Sequence, residues 1–176
     1  MQYIHSYSSA LGKILLAADD VGLTGLWFVG QKYFGLYLEK EQEEKDLPIF
    51  RQAVRWLDLY FAGKEPSFSL PLHLKGTPFQ KEVWELLRQI PYGQTTTYGA
   101  IAKALANKHQ KKVSAQAVGG AVGRNEISIM IPCHRVVGTS GSLTGYAGGL
   151  DRKIALLKLE KAYRPHFFIP KKTTAP

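Results

Sequence analysis

The sequence predicts an α+β chain in two parts, and three observations carry that reading. Residues 1–30 hold three short apolar segments of strand length, residues 76–124 hold a succession of helix starts with apolar residues at helical spacing, and charge divides unequally between the parts. Residues 1–75 contain 8 Lys and Arg against 9 Asp and Glu, whereas residues 76–176 contain 15 against 5, so the formal net charge of +9 belongs to the second part. A basic domain suits a polyanionic partner, although ordinary solubilising charge produces the same composition. The 176 residues suffice for one large domain or two small ones, each with a modest core. No run approaches the roughly 18 apolar residues of a membrane helix, and Met1-Gln2-Tyr3-Ile4-His5-Ser6 lacks a basic region followed by an apolar core, so a cytoplasmic location is expected.

In the first part, residues 3–7, 13–17 and 23–29 read as strands, with Asp19-Asp20-Val21-Gly22 as a hairpin turn. The charged segment 31–46 reads as a helix. After Pro48, residues Ile49, Ala53, Trp56, Leu57 and Tyr60 recur at helical spacing and form a core stripe, and Phe68, Leu70, Leu72 and Leu74 alternate as an extended segment leading to Lys75-Gly76. This part carries no evident chemistry.

The second part opens with Thr77 as a helix cap, Pro78 at the first helical position and Gln80 three residues after the cap. Phe79, Val83, Trp84, Leu87 and Ile90 supply the buried stripe, and Pro91-Tyr92-Gly93 ends the helix. Thr95-Thr96-Thr97 precedes a second helix with apolar positions Tyr98, Ile101, Ala102 and Leu105, followed by a loop containing Lys108, Lys111 and Lys112. Ser114 caps a third helix ending at Arg124, whose three glycines each weaken helix propensity by about 1 kcal/mol relative to alanine. Either close helix packing or close approach to another surface explains them. Two short helices across a turn have helix-turn-helix spacing, and the hydroxyls and peptide N–H groups at their N-termini suit phosphate.

Cys133 is the only cysteine, set in Ile131-Pro132-Cys133-His134-Arg135-Val136-Val137. A free cysteine is usually a buried, inert hydrophobe. Here Pro132 breaks the apolar run 127–131, while His134 and Arg135 place a proton carrier and a fixed cation beside the sulfur, favouring the nucleophilic thiolate. One cysteine excludes an internal disulfide and a thiolate-rich zinc site, and the five histidines lack metal-ligand spacing, so no metal is expected.

The segments Gly76-Thr77-Pro78-Phe79, Pro91-Tyr92-Gly93-Gln94-Thr95-Thr96-Thr97-Tyr98, Ala117-Val118-Gly119-Gly120-Ala121, Asn125, Ile131-Pro132-Cys133-His134-Arg135-Val136 and Tyr146-Ala147-Gly148-Gly149-Leu150, in this order, resemble the O6-alkylguanine-DNA alkyltransferases, also called methylated-DNA–protein-cysteine methyltransferases. The resemblance is specific over residues 76–162 and general over 1–75. It implies a ribonuclease-H-like α/β module over 1–75, a mostly helical winged-helix-like DNA-binding and catalytic domain over 76–164, and a basic tail over 165–176.

The implied reaction is direct damage reversal, in which a thiolate takes the alkyl group from O6 of guanine, with O4-alkylthymine as a further candidate substrate. By resemblance, Cys133 is the nucleophile, His134 takes its proton through a water, and Glu160 orients the imidazole. From its position in the last helix alone, Glu160 reads instead as a surface partner of Lys161 or Arg164. The target nucleotide is extruded from the duplex. Tyr98 helps rotate it and donates to guanine N3, the carbonyls of Cys133 and Val136 accept from the exocyclic amine, the Ala147 N–H faces O6, and Tyr146 walls the alkyl group. The helix 114–124 enters the minor groove, with DNA contacts expected from Thr95, Thr96, Tyr98, Gln116, Ala117, Gly120 and Arg124. Asn125 ties this helix to the active-site turn.

Three departures from the family pattern stand out. Gln116 replaces an intercalating arginine, which puts flipping efficiency in question. Glu126 replaces a proline, an exchange expected to loosen the turn and add negative charge near DNA. The N-terminal cysteines or zinc set of some relatives are lacking. The implied protein is a monomer without cofactor, acting on double-stranded DNA and used once, since a thioether does not hydrolyse readily. A lesion-binding protein without transfer, a winged-helix transcription factor and a cysteine hydrolase using Cys133 and His134 remain alternatives at this level.

Overall fold

The computed structural model describes residues 1–35 and 38–171. They form two compact units, one of residues 1–75 with 126–128, the other of residues 76–125 and the chain from Ile129 onward.

In the first unit, β1 (Gln2–Ser9), β2 (Gly12–Ala18) and β3 (Leu23–Phe28) form an antiparallel meander, and β4 (Gln42–Glu44) adds to β1 in parallel, giving the order β3-β2-β1-β4. The β2–β3 hairpin closes on Asp19, whose carboxylate accepts from the Val21 and Gly22 N–H groups at 2.9 and 3.1 Å. This side-chain turn is why Asp-Asp-Val-Gly can reverse the chain. β3 is buried at every position, as expected of a strand covered on both faces. Helix α1 (Pro48–Phe61) packs on β1 and β2 through Phe50, Ala53, Leu57 and Tyr60. Phe50 thus takes the core position expected of Ile49, and Trp56 stacks half-buried on Tyr60 at 5.4 Å.

The segment 31–46 is not a helix where it is described. Turns occupy 32–35, Gly35 has a φ of 63°, and Gln42–Glu44 pair with β1. A run of charges without an apolar stripe offers a helix nothing to bury, whereas an edge strand tolerates exposed glutamates. Leu36 and Tyr37 lie outside the described residues.

Two further segments extend β3. Leu72 bridges Leu23 in parallel, and Ile127 bridges Leu26 in parallel, with the Leu26 N–H donating to Glu126 O and the Ser128 N–H to Leu26 O, both at 2.9 Å. The chain thus leaves the second unit after Asn125, lends three residues to the first, and returns at Ile129.

The second unit holds α2 (Pro78–Arg88), β5 (Thr96–Thr97), α3 (Tyr98–His109), α4 (Ala115–Gly123), a 3-10 turn (Cys133–Arg135), β6 (Val136–Val137) and α5 (Leu150–Leu159). β5 and β6 pair in parallel, Thr96 opposite Val136, which sets the start of α3 beside the cysteine turn. α4 packs on α2 and α3, and the Trp84 indole donates to Ala121 O at 2.8 Å. A hydrophobic cluster of Val137, Leu143, Leu157, Ala162 and Phe167 packs under α5. Phe167 is buried there, and the Leu143 N–H donates to Phe168 O at 2.8 Å, so residues 165–168 are built into this unit instead of opening a tail. Residues 172–176, the end of the expected basic tail, lie outside the described residues. Among the described residues no helix is long and apolar enough to cross a membrane.

The start of α2 is the expected reciprocal cap: the Gln80 N–H donates to Thr77 Oγ1 at 3.1 Å, and the Thr77 N–H donates to Gln80 Oε1 at 3.0 Å. Thr77→Ala is expected to lower stability by about 1 kcal/mol in urea denaturation, and Thr77→Ser to retain it.

Candidate active site

Pro132 ends the apolar run, and Cys133, His134 and Arg135 follow as one tight turn, with the Cys133 N–H donating to Ile131 O at 2.8 Å and the Arg135 N–H to Pro132 O at 3.0 Å. Three successive side chains thereby reach three different environments. Cys133 is 6 % exposed. Asn125, just past α4, donates from Nδ2 to Ile131 O at 2.8 Å and hydrogen-bonds the thiol. Burial pushes the Cys133 thiol above its ordinary range, opposed by Asn125, the Lys153 charge and the backbone N–H groups of Cys133 and His134.

His134 is wholly buried, and its Nε2 is hydrogen-bonded to Glu160 Oε2. Burial lowers the imidazole pKa, with the Arg135 and Lys153 charges adding to the fall and Glu160 opposing it. The ring is therefore neutral at pH 7, with its proton on Nε2 facing the carboxylate and Nδ1 as the acceptor. Glu160 lies at the C-cap of α5. Burial alone would raise its carboxyl, but hydrogen bonds and charge from His134 and Arg135 hold it at about 2. Arg135 Nε donates to Glu160 Oε1 and Arg135 Nη1 to Ile90 O, each at 2.7 Å, and its guanidinium lies 5.7 Å from the Tyr92 ring centre. Glu160 is thus a carboxylate locked between an imidazole and a guanidinium, able to stabilise an imidazolium whenever His134 takes a proton.

The remaining walls come from β6, α3 and the loop before α5. Val136 is fully buried and its carbonyl accepts from Lys153 Nζ at 2.6 Å. The same ammonium donates to Thr144 O and Gly145 O, both at 3.1 Å, and so joins β6 to the loop carrying Tyr146 and Ala147. Burial lowers Lys153 to about 8, with the Cys133 charge opposing, which leaves it cationic at pH 7. Tyr98, the first residue of α3, donates its hydroxyl to Thr144 O at 3.1 Å, and burial pushes its phenol up to about 12, keeping it a donor. The Tyr146 ring meets His134 edge-on at 6.4 Å. Tyr146 and Ala147 are half-buried.

On α4, Gln116, Ala117 and Gly120 are exposed, as is Arg124 at its C-cap, while Thr95 and Thr96 are half-buried at β5. A Cβ placed on Gly119 would sit 3.8 Å from the Tyr98 ring, an ordinary contact, and one on Gly120 would meet nothing within 4 Å. Packing inside the protein therefore does not require glycine at either position.

The family model of the 6-O-methylguanine DNA methyltransferase DNA binding domain matches residues 78–162, and that of the same family's ribonuclease-like domain matches residues 2–74. The chain belongs to the 6-O-methylguanine DNA methyltransferase family. A methylated-DNA--protein-cysteine methyltransferase of Methanosarcina acetivorans is 47% identical, over 90% of this chain and 97% of its own. One from Mycobacterium leprae is 44% identical, over 92% and 93%. The crystal structure of Mycobacterium tuberculosis OGT in complex with DNA superposes with a TM-score of 0.77 at 42% identity, over 91% of this chain and 93% of that one.

Within this methyltransferase family frame, the structure brings together Cys133, His134, Glu160, Asn125, Val136 and Tyr98, and it revises three expectations. The cation acting on the sulfur is Lys153, whereas Arg135 is turned away to Glu160 and Ile90 O. Glu160 is buried and pairs with His134 and Arg135 in place of a surface partner, because α5 turns it inward with Leu156 and Leu157. Glu126 is not a charge on a loosened surface turn: it is 4 % exposed and accepts from Trp27 Nε1 at 2.7 Å. No motif marks Lys153 as a site residue, yet a signal for it exists, since Lys153, Leu156, Leu157 and Glu160 lie on one helical face with charges at both ends.

The depressed Glu160 carboxyl contributes stability that is fully present above its ordinary 4.5 and is lost as pH falls toward about 2. Arg135→Met removes one of its partners and is expected to cost about 3 kcal/mol at pH 7. That difference should shrink between pH 4.5 and 2, where the wild-type protein loses the same charge pairing; urea denaturation across a pH series measures it.

Proposed function

We propose that this protein reverses alkylation damage in DNA by moving the alkyl group from O6 of guanine to Cys133 Sγ. The observation that carries the reading is a lone buried thiol held by Asn125 and followed directly by the His134–Glu160 pair. The relatives that match nearly from end to end are named for this transfer.

In this mechanism Cys133 gives its proton through a water to His134 Nδ1, and Glu160 stabilises the resulting imidazolium. The sulfur pair attacks the alkyl carbon, a sulfur–carbon bond forms, the carbon–O6 bond breaks, and its electron pair returns to the guanine. Tyr98, held protonated by burial, turns its hydroxyl from Thr144 O to guanine N3 and steadies the anion so formed, which takes its proton from water to restore guanine. Lys153 keeps a positive charge near the sulfur while the thiolate exists. The carbonyls of Cys133 and Val136, the Ala147 N–H and the Tyr146 ring form the guanine site.

DNA docks on the exposed side of α4, through Gln116, Ala117, Gly120 and Arg124, with Thr95 and Thr96 at phosphates and Gln116 filling the gap left by the extruded base. Support comes from the open space at Gly120, which lets a groove wall reach the helix backbone, and from the basic balance of residues 76–176. The product thioether is stable, so each molecule acts once. A cytoplasmic location fits a reaction that needs a reduced thiol.

Incubation with a duplex carrying one O6-methylguanine, followed by intact and peptide mass spectrometry, should show one methyl per protein molecule on Cys133, and none in Cys133→Ser. Binding without methyl gain would make the protein a lesion sensor. Repeated turnover of an ester or peptide would make it a hydrolase.

A further inference from the structure

Glu126 is an unusual residue to bury, since a carboxylate taken out of water is costly unless strong donors meet it. The backbone pairing of 126–128 with Leu26 uses only main-chain groups, so it would form with an apolar side chain at this position. The carboxylate adds a bond to Trp27 Nε1 at 2.7 Å, and that indole is itself immobile. It lies across Gly25, where a Cβ would fall 2.0 Å from the indole Cη2, it packs on Phe34 at 5.7 Å, and it is 1 % exposed.

The chain between this anchor and the thiol is strained. Ile129 has a φ of 71°, a left-handed conformation that a β-branched residue adopts only when its surroundings impose it. On one side of Ile129, residues 126–128 are held by Leu26 and Trp27. On the other, Ile131 O accepts from both Asn125 Nδ2 and the Cys133 N–H, each at 2.8 Å. Asn125 closes the ring, because it is covalently joined to Glu126 and hydrogen-bonds the thiol. Relaxation at Ile129 would therefore displace Ile131 O, Asn125 and the sulfur together.

We propose that Glu126 is a positioning residue for Cys133: its bond to Trp27 clamps the start of the 125–133 segment, enforces the left-handed turn at Ile129, and so aims the thiol. The inference rests on alkyl transfer to Cys133 as the function.

The test compares wild type, Glu126→Ala, Glu126→Gln, Trp27→Phe and the Glu126→Ala/Trp27→Phe double variant. Single-turnover methyl transfer is measured at saturating O6-methylguanine duplex, beside DNA affinity, urea stability and amide hydrogen exchange over 129–135 relative to α2. Glu126→Ala and Trp27→Phe are each expected to slow saturating transfer about tenfold and to speed exchange at the Cys133 amide by a similar factor. The double variant should be no slower than the worse single one, and Glu126→Gln, which keeps an acceptor for the indole, should stay within about twofold of wild type. DNA affinity should not move. A further variant, Ile129→Gly, removes the cost of the left-handed turn, and in that background Glu126→Ala should slow transfer by less than about twofold. Wild-type transfer and exchange in Glu126→Ala and Trp27→Phe, whatever their stability, would overturn the proposal, as would a loss in Glu126→Gln equal to that in Glu126→Ala. If Glu126→Ala does not fold, the contrast between Trp27→Phe and Glu126→Gln decides. If wild type acquires no methyl, the functional reading fails, and the exchange contrast still decides whether Glu126 positions the thiol.

Discussion

The site depends on one buried carboxylate. Glu160 joins the imidazole of His134 to the guanidinium of Arg135, and Arg135 in turn caps the Ile90 carbonyl at the end of α2. Without that anion the turn after Pro132 would bury a guanidinium without its counter-charge and an imidazole with nothing to fix its tautomer. With it, the imidazole, kept neutral by burial, is oriented and ready to become a cation when the neighbouring thiol loses its proton. The arrangement separates charge storage from charge creation: the Glu160–Arg135 pair is permanent, while the thiolate and imidazolium exist only during reaction.

Both charged ends of the site come from α5. Lys153 and Glu160 stand two turns apart on one face, with Leu156 and Leu157 between them in the core. The lysine reaches the carbonyls of Val136, Thr144 and Gly145, and the glutamate reaches the residues just before Val136. A single helix thereby holds both the loop 144–145 and the cysteine turn. Tyr98 shares Thr144 O with Lys153, which couples the start of α3 to the same loop.

Much of this was legible in the residues. The Thr77-Pro78-Gln80 start, the Asp19–Gly22 hairpin and the strands 3–7, 13–17 and 23–29 each follow from local pattern, whereas the pairing of His134 with Glu160 follows only from the family resemblance; the structure contains them all. The features not legible are those that need distant partners. Glu126 reads as a surface charge until Trp27, 99 residues earlier, is placed against it. Arg135 reads as the cation beside the sulfur because it is near in sequence, but a long side chain two residues on can point elsewhere, and Glu160 draws it away. Residues 165–168 read as part of a tail because Pro165-His166-Phe167-Phe168 has no helical or strand pattern to show that Phe167 packs in the cluster beneath α5. The segment 31–46 reads as a helix from charge alone, and charge without an apolar stripe does not make one.

Alkyl transfer as proposed requires the His134–Glu160 pair to activate the thiol of Cys133. The most direct measurement is the rate at which iodoacetamide labels Cys133 as a function of pH, in wild type and in Glu160→Gln, read by peptide mass spectrometry without DNA. Glu160→Gln is expected to react more slowly near pH 7 and to approach the wild-type rate at high pH, where hydroxide removes the proton that His134 no longer can. Superimposable profiles in the two folded proteins would show that the carboxylate takes no part in forming the thiolate, and would contradict that requirement.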